Sequence, residues 1–284
     1  LAMSVRRRQT AGIHALASAA TEILNPMKYT LTLSLLLPSL CPCFAGNDDR
    51  EWKSERSDYR DKVTRTEVWR LTTDPEVEII TDRIKDPWSP DGSQILFRSK
   101  RTGAWHLFLM AADGSKIIRV TDRKEPAVYG VWSRSGREIV CTPSVNDKYE
   151  LQVIDVNTFG SRRIAGPFES QMNKMGVSPD GESVLFTRII KQPDGDKQDV
   201  VMSSFVNMDG TGFFDFTGET KHGRIGWIPG RMDIRRMKSS RQQYVVQPDG
   251  SGAQLIGEGG HEYFTPDGKH MLICDPKGGD PSKW

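Results

Sequence analysis

The sequence has few residues of the kinds that hold metal ions or crosslink a chain. Its 284 residues include four cysteines and five histidines. Neither a CxxC pair nor the Cys/His spacing of a zinc site occurs anywhere. Cys141 and Cys274 lie within apolar runs, which favours buried free thiols, although two cysteines of an exported chain could also pair. A small domain built on zinc or on many disulfides is therefore excluded.

An excess of one charge is also lacking. The chain has 39 Lys and Arg against 37 Asp and Glu, a net charge of +2. Its basic runs, "SVRRRQ" and "MDIRRMKSSR", are interpreted as solvated surface, so we expect no nucleic-acid partner. Neither the Gly-x-Ser-x-Gly motif of a serine hydrolase nor a phosphate-binding glycine loop is present, which makes a serine peptidase less favoured.

The longest apolar stretch lies near the N-terminus, in "MKYTLTLSLLLPSLCPCFAG". It starts at Met27 with a positive charge at Lys28, continues through apolar residues 31–40 and ends in small residues around Ala45. This is the layout of a secretory signal peptide, and the stretch is too short and too interrupted by proline to form a stable membrane span. We therefore predict a signal peptide at 27–46 behind an extension at 1–26, and a periplasmic or secreted location.

The chain does have many turn-forming residues, with 26 glycines and 16 prolines, and it contains an internal repeat. "DPWSPDGSQILFRSK" at 86–100 returns as "GVWSRSGREIVCTPS", "MGVSPDGESVLFTRI" and "EYFTPDGKHMLICDP", with a degenerate copy, "IGWIPGRMDIRRMKS", at 225–239. The anchor residues Trp88, Trp132, Val177, Trp227 and Phe264 follow one another at intervals of 44, 45, 50 and 37 residues. We expect each anchor to pack between neighbouring units.

Each repeat contains a first strand, a turn, two further strands, a second turn and a closing strand. The second turns are Asp113-Gly114, Phe159-Gly160, Asp209-Gly210 and Asp249-Gly250. Glycine tolerates positive φ, so these pairs suit hairpins, and the proline of the Ser-Pro-Asp-Gly turns favours a turn because its own φ is fixed. Four short antiparallel strands in about 45 residues are typical of a propeller blade. The fold class predicted is an all-β propeller of four-stranded antiparallel blades over residues 66–284, about five of them recognisable and the last incomplete.

Residues 47–65 alternate in charge and predict a polar linker or a short surface helix. A ring of blades of this size usually needs more than five, so we expect the chain to be a piece of a longer protein rather than a propeller with an open edge.

The repeat "DPWSPDGSQILFRSKRTGAWHLFLMAADGSKIIRVTD" resembles that of TolB-type periplasmic propellers, closely at 86–122 and more loosely over 67–276. A narrower resemblance is to oligogalacturonate lyases, through "EVWRLTT" and "HEYFTPDG" at 261–268. That resemblance implies that His261 is the base that removes the C5 proton of a galacturonate unit. It also implies that Arg241 contacts substrate, after a one-residue shift in the alignment. The manganese ligands of these enzymes lie in later blades, so the resemblance names no metal ligand in this chain.

Structural or surface roles also remain open for the histidines. His261 could simply cap its turn or bond near Glu262, and His222, at a similar position one repeat earlier, could line the channel or lie on the surface. His106 is expected to pack in mid-strand and His270 to be exposed.

Two functions follow. The first is an exported binding platform that takes a glycan or a protein at the channel face. The alternative is an oligogalacturonate lyase that acts by β-elimination with a histidine base and Mn²⁺, since a base and a carboxylate-neutralising cation are what that reaction needs.

Overall fold

In the computed structural model the chain is an all-β protein. The structure describes residues 2–3, 50–81, 87–191, 199–216, 225–237 and 242–274. These residues form strands, turns and loops, and no helix in them is long and apolar enough to cross a membrane. The predicted signal peptide at 27–46 and the predicted site residues His222 and Arg241 lie outside the described residues, as does the side chain of His261.

Four consecutive antiparallel blades and the start of a fifth follow the repeat. Blade 1 contains β5 (Glu78–Ile80), β6 (Gln94–Ser99), β7 (His106–Ala111) and β8 (Lys116–Arg119). Blade 2 contains β9 (Ala127–Trp132), β10 (Glu138–Val145), β11 (Lys148–Asp155) and β12 (Ser161–Phe168). Blade 3 contains β13 (Gln171–Val177), β14 (Ser183–Ile190), β15 (Val200–Asn207) and β16 (Phe214–Asp215). Blade 4 contains β17 (Ile225–Trp227), β18 (Ile234–Met237), β19 (Gln242–Val246) and β20 (Gln254–Glu258), and blade 5 contains β21 (Gly260–Phe264) and β22 (Met271–Cys274). The predicted fold class is confirmed.

The segment before the first blade is structured, unlike the linker or helix predicted for 47–65. It contains β2 (Glu51–Lys53) and β3 (Ser57–Arg60), and β2 pairs with β8 as a fifth strand of blade 1. The reason is Trp52, whose ring packs edge-on against buried Phe108 at 5.3 Å. A further sheet joins β3 to β4 (Glu67–Arg70) and β4 to β1 (Ala2–Met3).

Two of the anchor tryptophans, Trp132 and Trp227, join neighbouring blades, as predicted for the anchors. The indole N–H of Trp132 donates to the carbonyl of Pro87 at 3.0 Å, and that of Trp227 donates to the carbonyl of Gly176 at 3.0 Å. Each acceptor is the residue just before the anchor of an earlier blade, Trp88 in one case and Val177 in the other. The same hydrogen bond thus recurs between blades 1 and 2 and between blades 3 and 4.

The Ser-Pro-Asp-Gly turns satisfy their own polar groups. Ser89 accepts the backbone N–H of Gln94 at 2.9 Å and donates to Asp91, which also accepts the N–H of Ser93. Gly92 has φ of 72°, which explains the glycine. These bonds, with that from Ser89 foremost, lower the pKa of Asp91 from 3.8 to about 2.

The blades present two rims. We call the rim of the first and second hairpin turns of each blade the turn rim. The opposite rim, where each first strand begins and the second strand turns into the third, is the entrance rim. Its described loops include residues 100–105, 121–126 and 146–147.

Apolar layers fill the spaces between consecutive blades, from blade 1 to blade 4. Two positions of the repeat recur in them: one on the second strand of a blade, facing forward, and one on the first strand of the next blade, facing back. The pair is Val140 and Met175 between blades 2 and 3, and Leu185 and Ile225 between blades 3 and 4. Between blades 1 and 2 the pair is Leu96 and a glycine, Gly130, where a Cβ would lie 2.6 Å from Leu107. Cys141 is a buried free thiol in this core, as predicted.

Candidate functional site

The candidate site is built around β21, which carries His261 at the entrance rim. β21 pairs with β22 through Gly260 with Cys274 and Tyr263 with Leu272, and the register shifts between Gly260 and Tyr263. His261 and Glu262 lie within that shift. A β-bulge re-aims side chains and disrupts pairing locally, so the backbone of the motif departs from a regular strand where the predicted base is located.

Similar register shifts occur in the first strands of blades 2 and 3, at residues 127–130 and 172–175. The irregularity is therefore a feature of the repeat near the entrance rim rather than of blade 5 alone. Tyr129 of blade 2 and Lys174 of blade 3 occupy the corresponding segments, which makes this part of each first strand a place where the blades differ in chemistry.

Three side chains fix the first strand of blade 5 to blade 4. Arg235 on β18 forms an ion pair with Glu262, and the two side chains are 13% and 5% exposed. Gln243 on β19 is fully buried, accepts a hydrogen bond from Arg235 at 3.2 Å and donates one to the carbonyl of Gly259 at 2.9 Å. We call Arg235, Gln243 and Glu262 the polar latch. It holds the backbone on one side of His261 through Gly259 and on the other through Glu262.

The latch replaces an apolar pair of the repeat. Counted from the anchors, Arg235 corresponds to Leu185 and Val140, and Glu262 corresponds to Ile225 and Met175. Sequence reasoning missed both residues, because blade 4 was interpreted only as a degenerate repeat. The signal was present: an arginine stands where the other blades bury an aliphatic residue, and a glutamate stands at the facing position of the next blade.

The turn after this strand is capped by Thr265. Its hydroxyl accepts the backbone N–H of His270 at 3.1 Å and donates to Asp267 at 2.5 Å. Thr265 thus fills the place that Ser89 fills in blade 1. Thr265 caps this turn, and both roles open to His261, as a further cap and as catalytic base, stay predictions. His270 is exposed, as expected.

His106 is a structural residue, as expected for its mid-strand position. It is 1% exposed, and its Nδ1 lies 3.0 Å from the hydroxyl of Thr121. Burial, with help from the charge of Arg119, lowers the pKa of His106 to about 4. It is therefore neutral at physiological pH.

Metal ligands do not converge in the part of the chain that the structure describes. No three His, Cys, Asp or Glu side chains of those residues lie close enough together to hold a metal ion. The described residues therefore do not by themselves fit manganese.

The solved structures that resemble this chain include β-propellers. An oligogalacturonate lyase in complex with manganese superposes with a TM-score of 0.64 at 15% identity, covering 78% of this chain and 66% of that one. The oligogalacturonate lyase of Vibrio parahaemolyticus gives 0.63 at 16% identity, with 78% and 65% covered. TolB of Acinetobacter baumannii gives 0.51 at 14% identity, with 78% and 54% covered. This chain thus spans at most about two thirds of those proteins.

Among curated proteins, an uncharacterised protein of Agrobacterium fabrum is 30% identical over 115 residues, which are 36% of this chain and 38% of that protein. No protein-family model matches the chain. The structural similarity, the blade order and the repeat agree, and the chain has the TolB-like β-propeller fold that oligogalacturonate lyase shares.

Proposed function

We propose that this chain is an exported propeller that works as a binding platform, with an oligogalacturonate-like glycan as its ligand at the channel face near the entrance rim. The observation that carries the proposal is the polar latch beneath the His-Glu-Tyr-Phe strand. Buried ion pairs are often no more stabilising than apolar residues of similar volume. Where one repeat departs from the packing rule that its neighbours follow, a functional site is the expected reason.

The glycan is favoured over a protein partner by the residue types of the motif. His261, with Arg241 and His222 as the other predicted contacts, would offer ring nitrogens and a guanidinium to hydroxyl and carboxylate groups. A planar guanidinium matches a carboxylate through two parallel hydrogen bonds, which suits a uronate sugar.

Oligogalacturonate lyase is the second candidate, and the motif "HEYFTPDG" together with the fold it shares with that enzyme favours it. In this reading His261 takes the C5 proton of a galacturonate unit as general base, and Arg241 neutralises the adjacent carboxylate so that negative charge can develop. Mn²⁺, as in the neighbouring structure, would supply further charge neutralisation when bound.

The test is calorimetric titration of the 284-residue chain with digalacturonate. We expect binding by the parent and at least about tenfold weaker binding by His261→Ala, since a hydrogen bond to a charged ligand contributes about 1.5–3 kcal/mol. His270→Ala, in the same hairpin but exposed, is the matched control and should bind like the parent. Equal affinity in His261→Ala would remove that residue from the site, and no binding by the parent would leave a protein partner as the ligand.

The lyase candidate is separated from the platform by turnover. Incubation with digalacturonate and Mn²⁺ should produce the ultraviolet absorbance of an unsaturated product if the chain is a lyase, and His261→Ala should abolish it. Binding without that absorbance supports the platform and contradicts the lyase for this chain.

Export is tested separately, by expressing the chain from its upstream residues and sequencing the N-terminus of the product. We expect cleavage near Ala45 and recovery outside the cytoplasm. An uncleaved cytoplasmic product would contradict export without bearing on the ligand.

A further inference from the structure

A second group of cations lies at the entrance rim, between blades 1 and 2. Arg98 is the last residue but one of the second strand of blade 1, Lys100 follows that strand, and Trp105 precedes the third strand. The Arg98 guanidinium carbon lies 5.0 Å from the centre of the Trp105 ring, and the Lys100 ammonium nitrogen lies 5.2 Å from it. Arg98 is also 5.6 Å from the ring of Tyr129. One indole thus holds two cations by cation–π attraction.

Neither cation has a carboxylate partner among the described residues. Arg98 makes one hydrogen bond, from Nη1 to the carbonyl of Val128 at 3.3 Å, and its Nε is buried without a partner. Nearby Arg101 shows the contrast. Its side chain is 0% exposed and is neutralised by Glu55 at 2.8 Å and by Glu78. The fold therefore pairs the structural arginine of this loop and leaves two half-buried positive charges beside it uncompensated.

Half-buried charges without counterions are unfavourable, and two of them held side by side repel each other. A bound anion removes both costs. Arg98 offers further N–H donors in a plane, which fits a carboxylate, while Lys100 adds a second charge on a flexible stem.

We propose that Arg98 and Lys100, held by Trp105, form a subsite for the carboxylate of a sugar acid. The inference rests on the proposed glycan function and deepens it. Tyr129, which contacts Arg98, lies in the same register-shifted segment of its blade as His261 does in blade 5. A ligand with several carboxylates would therefore meet acid-binding residues at more than one blade of the entrance rim.

The test follows the Trp105 indole N–H by NMR in the full chain, assigned with Trp105→Phe. Titration with galacturonate should shift this resonance, whereas neutral galactose and sodium acetate at the same concentration should not. Arg98→Met with Lys100→Met should abolish the shift. Lys100→Met alone, which keeps the apolar stem, should weaken galacturonate binding about tenfold, the loss expected for one charged contact. Lys148→Met removes a lysine at the same rim that is already paired with Glu169 at 2.9 Å, and it should leave the response unchanged.

Each outcome decides the point. No galacturonate shift at Trp105 overturns the subsite, whatever happens at His261. An equal response to acetate shows a generic anion site and overturns the sugar assignment. A Trp105 response that survives His261→Ala supports the subsite even if the proposed site at blade 5 fails. Loss of digalacturonate binding in His261→Ala without any response at Trp105 leaves the proposed function standing and the subsite wrong.

Discussion

The contact between blades 2 and 3 and the contact between blades 4 and 5 use the same two positions of the repeat in opposite ways. Between blades 2 and 3 the pair is Val140 with Met175, in an apolar layer that includes Leu151 and Phe186. Between blades 4 and 5 the pair is Arg235 with Glu262, joined to Gln243. The first contact is non-directional, and the second fixes donors to acceptors.

The difference separates two requirements of a propeller. Most blades need only to bury their faces, and any well-packed aliphatic pair does that. An ion pair with hydrogen bonds to the neighbouring backbone sets the position of a strand more narrowly, at a cost in desolvation. Among the blades in the described part of the chain, the one that carries His261 is held in this way.

The largest loss of stability is expected from a change in the apolar contact between blades 2 and 3. Phe186→Ala empties a fully buried site and should lower the free energy of unfolding by about 4 kcal/mol, as seen for large-to-small core changes. Urea denaturation measures it. Phe213, 44% exposed and 6.4 Å from the same ring, is the control, and Phe213→Ala should cost about 1 kcal/mol or less. Equal losses would mean that the blade contact is not where stability resides.

A somewhat smaller loss is expected when the latch is broken on one side. Glu262→Gln removes the carboxylate that forms the buried ion pair with Arg235 and should cost about 3 kcal/mol. Glu169→Gln, which breaks an exposed ion pair with Lys148, should change stability by about 0.5 kcal/mol or less. A loss from Glu262→Gln as small as that of the control would show that the latch is solvated.

The smallest loss of stability is expected at the turn rim, and its size depends on pH. The folded pKa of Asp91, about 2, lies below its ordinary value of 3.8, so its ionised form stabilises the fold above the ordinary value. That contribution is lost as pH falls through about 2. Asp91→Asn should therefore be less stable than the parent at neutral pH, and the gap should narrow between pH 3.8 and about 2.

The equivalent turn of blade 2 has Ser135 in place of the aspartate and supplies the control. Ser135→Ala should change stability by the same amount across that pH range, when followed by thermal unfolding at each pH. A gap for Asp91→Asn that does not narrow would contradict the role of the carboxylate.

The blades and their turns could be predicted from sequence because each is specified locally. The anchors, with the Ser-Pro-Asp-Gly turn and its relatives, recur at intervals of 37 to 50 residues. A glycine at positive φ marks the first turn of every described blade. Strand β2 could not be predicted, because its three residues are mostly charged and only the contact of Trp52 with Phe108 gives them a place.

The site was harder to predict for a different reason. The motif around His261 is continuous in sequence, whereas its support comes from Arg235 and Gln243 in another blade. Arg98 in blade 1 and Tyr129 in blade 2 likewise look like ordinary strand residues until the fold brings them together. Such partners are set by packing across blades, which a single repeat does not encode.

The most direct test replaces the ion pair between blades 4 and 5 by an apolar pair, in the double variant Arg235→Leu with Glu262→Ile. This variant copies Leu185 and Ile225 from the contact between blades 3 and 4. Because a matched apolar pair can replace a buried ion pair at little cost, the double variant should unfold within about 1 kcal/mol of the parent. Its affinity for digalacturonate, measured by calorimetry, should nevertheless fall about tenfold, because the His261 strand is no longer fixed. Unchanged affinity in a stable double variant would contradict the claim that the latch exists for the site.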